Sequence, residues 1–452
     1  MRIILVGCGK IGVALLSALV SEGHDVVAVD IRRDVLDDLT NQYDVMCLEG
    51  NGTDCEALQE ADVGKAELFI AVTGSDELNM LMCFLAKRMG TKHTIARIRN
   101  PQYTDKALGF MRQQLDLSMV INPELLTAQE LLHILKLPAA SKVETFSRRS
   151  FEMVELRLKE DSPLLGQRLM DLRGRFKAKF LVCVVQRGSE VIIPRGDFRL
   201  QAGDRIGLTA DRTELWKLLK ATGLAKRQAR NVTLMGGSRI AFYLAKMLLS
   251  SGTNVTLIES DRAMCHRFSD LLAGIRVYCG DGTQQELLRE AGLLDQNAFV
   301  TLTGLDEQNI LVAYYAKSQQ VSQVIAKVNR DEMARMAEQM GLESVISPKD
   351  VVVNVVLRYA RALQSSMGSS IENLYQLMEG RAEALEFIVQ GEAPYTGIPL
   401  KDLRMKKNIL VAGILRDRRA IIPAGDDMIL PGDRVVVIAG QHRLNALAEI
   451  LY

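Results

Sequence analysis

The chain offers no run of uncharged apolar residues as long as the roughly eighteen that a membrane-crossing helix needs. Its apolar start, Met1 to Val6, reads as a strand and not as a signal peptide. Charge of one sign is also missing: 56 Lys and Arg against 55 Asp and Glu leave a formal +1. Such a balance gives no general pull toward nucleic acid or anionic lipid. The seven cysteines form no CxxC pair, and most lie in apolar runs, as Cys8, Cys83 and Cys183 do. Reduced thiols in a cytoplasmic protein fit this better than disulfides or a zinc site. Histidine is scarce: His24, His93, His133, His266 and His442. None aligns with another across the repeat described below, and none shares a motif with a carboxylate. Nucleophile elbow, metal pair and Walker lysine are all absent, so no catalytic and no metal-ligating residue is assigned.

What the chain does have is concentrated in its first thirty residues. A short apolar β-type run, Arg2 to Val6, leads into Gly7-Cys8-Gly9-Lys10-Ile11-Gly12. An apolar helical pattern runs from Ile11 to about Leu19, and a second apolar run, Val26 to Val29, ends in Asp30. Strand, glycine turn, helix, strand and acid stand at dinucleotide-binding spacing. Gly7 can take the angles of the tight turn, Gly9 leaves the backbone open to a pyrophosphate, and Gly12 lets the helix pack closely. The helix start offers free N–H donors and a partial positive charge. Asp30 can accept bonds from the adenosine ribose hydroxyls.

The second half rewrites the first at an offset of about 230 residues. Gly236-Gly237-Ser238-Arg239-Ile240-Ala241 repeats the glycine turn, and Val255 to Glu259 repeats the strand ending in Asp30. Gly280-Asp281-Gly282-Thr283 matches Gly50-Asn51-Gly52-Thr53. Thr303-Gly304-Leu305-Asp306-Glu307-Gln308-Asn309 matches Thr73-Gly74-Ser75-Asp76-Glu77-Leu78-Asn79, and Ala326-Lys327-Val328 matches Ala96-Arg97-Ile98. Matches in one order define a tandem duplication.

Within each copy, β runs alternate with helical patterns as far as about Val120 and Val345, which predicts a parallel sheet covered by helices. Asn122-Pro123-Glu124 and Ser347-Pro348-Lys349 then open amphipathic helices to about Leu137 and Leu363. Their broad apolar faces fit a core helix, or one lying between two lobes or two subunits. Each copy ends in short strands with Gly and Pro turns, marked by Ile-Ile-Pro (192–194 and 421–423) and Gly-Asp-Arg (203–205 and 432–434). The fold class is therefore α/β: two tandem Rossmann-like doubly wound domains, each followed by a small α+β domain. The predicted spans are 1–138 and 230–370 for the nucleotide-binding domains with their helices, and 148–222 and 380–452 for the small ones. A basic linker, Gly223 to Arg230, joins the halves.

Around the first turn, Lys10 can reach a phosphate or point to water, and Arg32 and Arg33 can flank an adenine or do the same. Thr73 and Gly74 end a β run at the carboxyl edge, where open α/β sheets bind ligands. Arg97 can clamp a pyrophosphate with its planar fork, or form an ion pair with Asp76 or Glu77. The second turn is degraded. Ser238 and Ala241 add a Cβ where glycine stood, Glu259 holds its carboxylate on a longer arm, and Lys327 is a point charge in place of a fork. A weaker or different adenine nucleotide is expected there, or none.

These residues resemble the TrkA family, cytosolic regulatory subunits of bacterial Trk potassium uptake systems. The resemblance rests on the glycine turn, Asp30, Thr73-Gly74-Ser75-Asp76-Glu77 and Ala96-Arg97-Ile98-Arg99, each repeated once, and covers essentially the whole chain. It implies tandem regulator-of-potassium-conductance (RCK) domains, with NAD(H) and ATP or ADP as ligands. It implies self-association into a ring, a homotetramer or dimer of dimers, peripheral on the inner face of the cell membrane beneath a potassium-translocating subunit. By position, Gly7, Cys8, Gly9, Lys10, Ile11, Gly12, Asp30, Thr73, Gly74 and Arg97 form the first site. Gly236, Gly237, Ser238, Arg239, Ile240, Glu259, Thr303, Gly304 and Lys327 form the second. A soluble NAD-dependent oxidoreductase is the alternative, and it needs a substrate and a proton donor that the sequence does not offer.

Overall fold

A computed structural model describes all residues except 101, 102, 104, 137–141, 147–150, 224–228, 343, 367–370, 379, 380, 418, 441–443 and 445. The expected boundaries at 138, 148, 370 and 380, most of the basic linker, and His442 lie outside the described residues.

Apolar residues on both faces of Arg2–Val6 make it a central strand. Ile3 and Leu5 face one layer of helices, Ile4 and Val6 the other, as parallel strands between two layers require. Six parallel strands line up in the order Met46–Glu49, Asp25–Asp30, Arg2–Val6, Leu68–Ala71, His93–Arg97, Met119–Ile121. The direction of winding reverses between Arg2–Val6 and Leu68–Ala71, which leaves a crevice at their carboxyl ends. The helix Asp76–Arg88 shows how the local sequence fixes the frame. Ser75 caps it by accepting from the Leu78 amide at 3.2 Å. Acids stand in its first turn and bases in its last, as the helix dipole favours. The second half repeats the sheet strand for strand, in the order Arg276–Cys279, Asn254–Glu259, Asn231–Met235, Ala298–Thr301, Gln323–Lys327, Ser344–Ile346.

Each small domain is a five-stranded antiparallel sheet. The Gly-Asp-Arg triplets are structural. Gly203 and Gly432 take positive φ angles of 84° and 88°. The buried Asp204 holds Arg187 through two bonds of 2.8 Å, and Asp433 holds Arg416 in the same way. The two sheets pack face to face through Met153, Cys183 and Val184 against Leu377, Ala384 and Val436.

The amphipathic helices resolve the open choice of partner. Pro123–Lys136, from the first copy, sets Ala128, Leu131, Ile134 and Leu135 into the core of the second parallel sheet. Pro348–Ser366 sets Val352, Val353, Val356, Leu357 and Ala360 into the core of the first. Each lobe is thus completed by the other's helix. Seven of these side chains are larger than alanine, each worth roughly 1.5–3 kcal/mol when fully buried, so the exchange is held mainly by apolar burial. Polar contacts fix its register: Gln323 Nε2 donates to the Ile134 carbonyl at 2.8 Å, and Arg361 forks onto Glu22, with Nε at 2.7 Å. Among the described residues no helix is long and apolar enough to cross a membrane.

Candidate nucleotide site

At the crevice of the first sheet lies a cavity of about 750 Å³. The glycine turn forms its floor, and each glycine is there for a different reason. Gly7 has φ +96°, and a Cβ on it would lie 2.9 Å from the Thr73 amide nitrogen. Beside Gly9 a Cβ would meet nothing within 4 Å, so this part of the backbone stays open to the cavity. Gly12 could not carry a Cβ at all: the atom would fall 1.9 Å from the Gly7 carbonyl oxygen. Its close approach is to the turn itself and not to the strand. Lys10 and Ile11, at the start of the helix Lys10–Ser21, line the cavity. Cys8 turns inward; burial, then the Asp30 charge, pushes its thiol up to about 12, so it packs as an inert apolar group.

Asp30 ends its strand at the cavity wall, 8% exposed. One carboxylate oxygen accepts from the Cys8 amide at 2.6 Å and the other from the Arg32 amide at 3.0 Å. The acid therefore braces the glycine turn as well as facing the cavity. Arg32 lines the cavity; Arg33 is exposed outside it.

Thr73 and Gly74 lie on the opposite wall. They are held by Asn79, fully buried, whose Oδ1 accepts from the Thr73 amide and hydroxyl at 2.9 and 2.7 Å. Its Nδ2 donates to the Arg97 carbonyl at 2.9 Å. Asn79 thus ties two strand ends together behind the cavity. Arg97 makes neither of the ion pairs weighed for it. Asp76 instead accepts from the Arg99 and Asn100 amides at 2.8 Å each, and it is Arg99 whose guanidinium lies near Asp76 and Glu124. Arg97 donates to the Thr73 carbonyl, and its Nε is buried with no hydrogen-bond partner among the described residues. Burial, then the Arg99 charge, draws its pKa below the usual arginine value. A half-buried cation with an unused donor, beside an open stretch of backbone, suits a pyrophosphate.

The remaining wall comes from the other lobe. Asn329, Pro348 and Lys349 line the same cavity. Asn329 is fixed there by Asp306, which accepts from its amide at 3.0 Å and its Nδ2 at 2.8 Å. Lys349 Nζ lies 2.7 Å from Asp331. The sequence gives no sign of this wall, because it depends on how the two copies face each other. Gly50, Asn51 and Gly52 also line the cavity; the sequence reading matches them to the second copy without placing them at the site.

The second turn keeps the frame and loses the opening. Gly236 has φ +101°. Glu259 bends back so that Oε2 accepts from the Gly237 amide, the bond Asp30 makes to Cys8. Ser238 caps the following helix, its Oγ accepting from the Ala241 amide at 3.3 Å, so a side chain already occupies what Gly9 leaves free. Arg239 and the buried Ile240 begin that helix. Thr303 is held by Asn309 as Thr73 is by Asn79, with Gly304 beside it. Lys327 is 8% exposed; burial lowers its pKa, against the opposing charge of Asp306 and with a smaller contribution from Lys10. Lys10 belongs to the first turn, so its charge reaches the second site across the lobes. Among the described histidines none lines the first cavity.

Comparison with known proteins agrees with this layout. Residues 3–123 and 232–348 match the TrkA-N domain, and residues 153–223 and 384–452 match the TrkA-C domain. A Trk system potassium uptake protein TrkA homolog of Archaeoglobus fulgidus is 33% identical over 451 residues, 100% of either chain. Trk system potassium uptake protein TrkA of Vibrio alginolyticus is 27% identical, covering 100% of this chain and 97% of its own. Among solved structures, the GsuK RCK domain superposes with a TM-score of 0.62 at 18% identity, over 97% of this chain and 92% of that one. The GsuK channel bound to NAD gives 0.62 at 19%, over 97% and 77%. With both domain types present twice and in alternation, and a full-length relative at 33% identity, the chain belongs to the TrkA family of Trk-system potassium uptake proteins.

Proposed function

We propose that this chain is a nucleotide-sensing regulatory subunit of a potassium uptake system, in which an adenine nucleotide, NAD(H) or ATP/ADP, sets the geometry of a cytosolic ring. The observation that carries the proposal is the cavity whose floor and two walls come from the first lobe and whose remaining wall comes from the second. A ligand shifts a conformational equilibrium only through different affinities for the two states. One that touches both lobes meets that condition wherever the lobes move. Asp30 would take the ribose hydroxyls, the amides around Gly9 the pyrophosphate, and Arg97 its charge. Lys10 and, from the other lobe, Lys349 would meet the far end of the ligand. Names of relatives support potassium uptake as the process, and a channel of the same fold solved with NAD supports the ligand class. The ring, its place on the inner membrane face and the potassium-translocating partner are part of the proposal. The second turn is assigned a weaker ligand or none, since the Ser238 side chain stands where Gly9 leaves the backbone open and already takes the Ala241 amide.

The test is calorimetric titration with NAD⁺, NADH, ATP and ADP of the wild type and Asp30→Ala. Loss of the ribose bonds should weaken first-site binding at least tenfold, about 1.4 kcal/mol or more, with no substrate turned over. A melting curve run alongside separates lost binding from a collapsed turn, because Asp30 also braces the Cys8 amide. Equal affinity in a folded mutant would remove the assignment.

A further inference from the structure

The second lobe carries a pair of thiols that the first lobe lacks. Cys265 and Cys279 stand where the first copy has Leu36 and Glu49. Cys279 ends its strand directly opposite Glu259 in the parallel register. Paired residues of neighbouring strands share a face of the sheet, and the helix Arg262–Leu271 covers that face through Phe268, against Leu257 and Val277. Cys265, on that helix, donates its thiol to the Glu259 carbonyl at 3.3 Å. The same carbonyl accepts from the Gly280 amide at 2.8 Å, so the Cys265 sulfur and the end of the Cys279 strand meet at one acceptor. Cys265 is buried and Cys279 exposed. A lone buried cysteine would be core packing; a second, solvent-facing thiol against it is a different arrangement.

We propose that Cys265 and Cys279 form an oxidisable dithiol, which a hydroperoxide converts into an intramolecular disulfide beside the second glycine turn. The exposed Cys279, as thiolate, attacks the distal oxygen of the hydroperoxide. The O–O bond breaks, and Cys279 becomes a sulfenic acid. The expelled alkoxide (hydroxide, for hydrogen peroxide) takes up the proton that Cys279 gave to water and leaves as the alcohol (or water). The Cys265 sulfur then attacks the Cys279 sulfur. The S–O bond breaks, and the departing hydroxide takes the Cys265 proton and leaves as water. Two thiols and one hydroperoxide thus give one disulfide, one alcohol and one water. The order follows from access: burial, then Cys279, pushes the Cys265 thiol up to about 12, so it stays protonated until the sulfenic acid forms. The bond would tie the helix Arg262–Leu271 to the strand end whose neighbour, Glu259, holds the Gly237 amide. Oxidation therefore acts on the second turn itself, whether or not that turn holds a nucleotide.

The experiment treats the full chain with stoichiometric hydrogen peroxide, then alkylates it in denaturant without reductant and maps it by mass spectrometry. Wild type should lose two of its seven alkylatable thiols, yield a peptide pair joined through Cys265 and Cys279, and regain both thiols with dithiothreitol. Cys265→Ser should stop at a Cys279 sulfenic acid trapped by dimedone, and Cys279→Ser should keep every remaining thiol. Seven alkylatable thiols after treatment, or thiol loss without the Cys265–Cys279 linkage, would overturn the proposal.

Discussion

Asp30 and Glu259 make the same bond to the same turn amide with side chains of different length. The extra methylene of Glu259 changes the path of the side chain and not its target, so position mattered more than residue type. The acid and the glycines were legible because a short-range geometric need dictates them. Asn79 was not, although Asn309 repeats it: a buried amide bridging two strand ends looks like any polar helix residue until the strands are adjacent. Arg97 and Arg99 likewise alternate along one strand and its extension, and only the fold shows which of them Asp76 takes. Among single residues, His24 makes the clearest prediction. It is 6% exposed, and both ring nitrogens lack a hydrogen-bond partner among the described residues. Burial is the main cause that lowers its pKa from 6.5 to about 4. The unfolded chain therefore binds the extra proton first. Stability from this group is complete above pH 6.5, declines as pH falls toward 4, and is down by about 3 kcal/mol below that. Urea unfolding of wild type and His24→Leu between pH 7 and 4 should show the slope in wild type and a flatter profile in the variant. Equal slopes would mean that His24 does not titrate alone.

Strands and helices were readable wherever burial is local: alternate residues of Arg2–Val6 fill two different layers, and Leu15, Leu16 and Leu19 fill one helix face. The two helices opened by Asn122-Pro123 and Ser347-Pro348 were visible as apolar faces, but a face carries no address. Periodicity states that Leu135 lies on an apolar face, not that it enters one core with Leu244 and Leu248 of the other copy. The polar contacts supply the address. Arg361, on the second of these helices, forks onto Glu22 of the first lobe and reaches Glu383 of the second small domain at 3.3 Å, so one side chain joins three units. Arg361 and Glu22 side chains are only 9% and 12% exposed. Removing one partner strands a poorly solvated charge, so Arg361→Ala should lose about 3–5 kcal/mol in urea unfolding. A double change, Arg361→Met with Glu22→Met, should recover most of that loss, because no unpaired Glu22 carboxylate remains. A double variant as unstable as the single one would assign the effect to packing or to the Glu383 carboxylate that also loses its partner.

For the whole molecule, the exchange of helices makes each half an incomplete core. The first parallel sheet without Val352, Val356 and Leu357 exposes the surface those residues cover, and the second without Leu131, Ile134 and Leu135 does the same. The small domains add a second shared layer, with Thr209 Oγ1 donating to the Ala412 carbonyl at 2.9 Å. The duplication therefore behaves as a dimer fused into one chain, and the first cavity lies where the two halves meet. Two consequences are separable. If the halves 1–222 and 230–452 are made as separate chains in one cell, they should co-purify one to one, since each supplies the helix the other needs. Made alone, 1–222 should pair with itself or aggregate, because its own Leu131 face has no second lobe to enter. Size-exclusion chromatography with light scattering decides between these outcomes. A stable monomer of 1–222 that melts at the temperature of the full chain would show that the exchange is not required. The co-purified halves also test the cavity: they should bind nucleotide as the intact chain does, whereas 1–222 alone, lacking Asn329 and Lys349, should bind it more weakly. Equal binding by 1–222 alone would place the ligand on one lobe and remove the physical means by which it could move two.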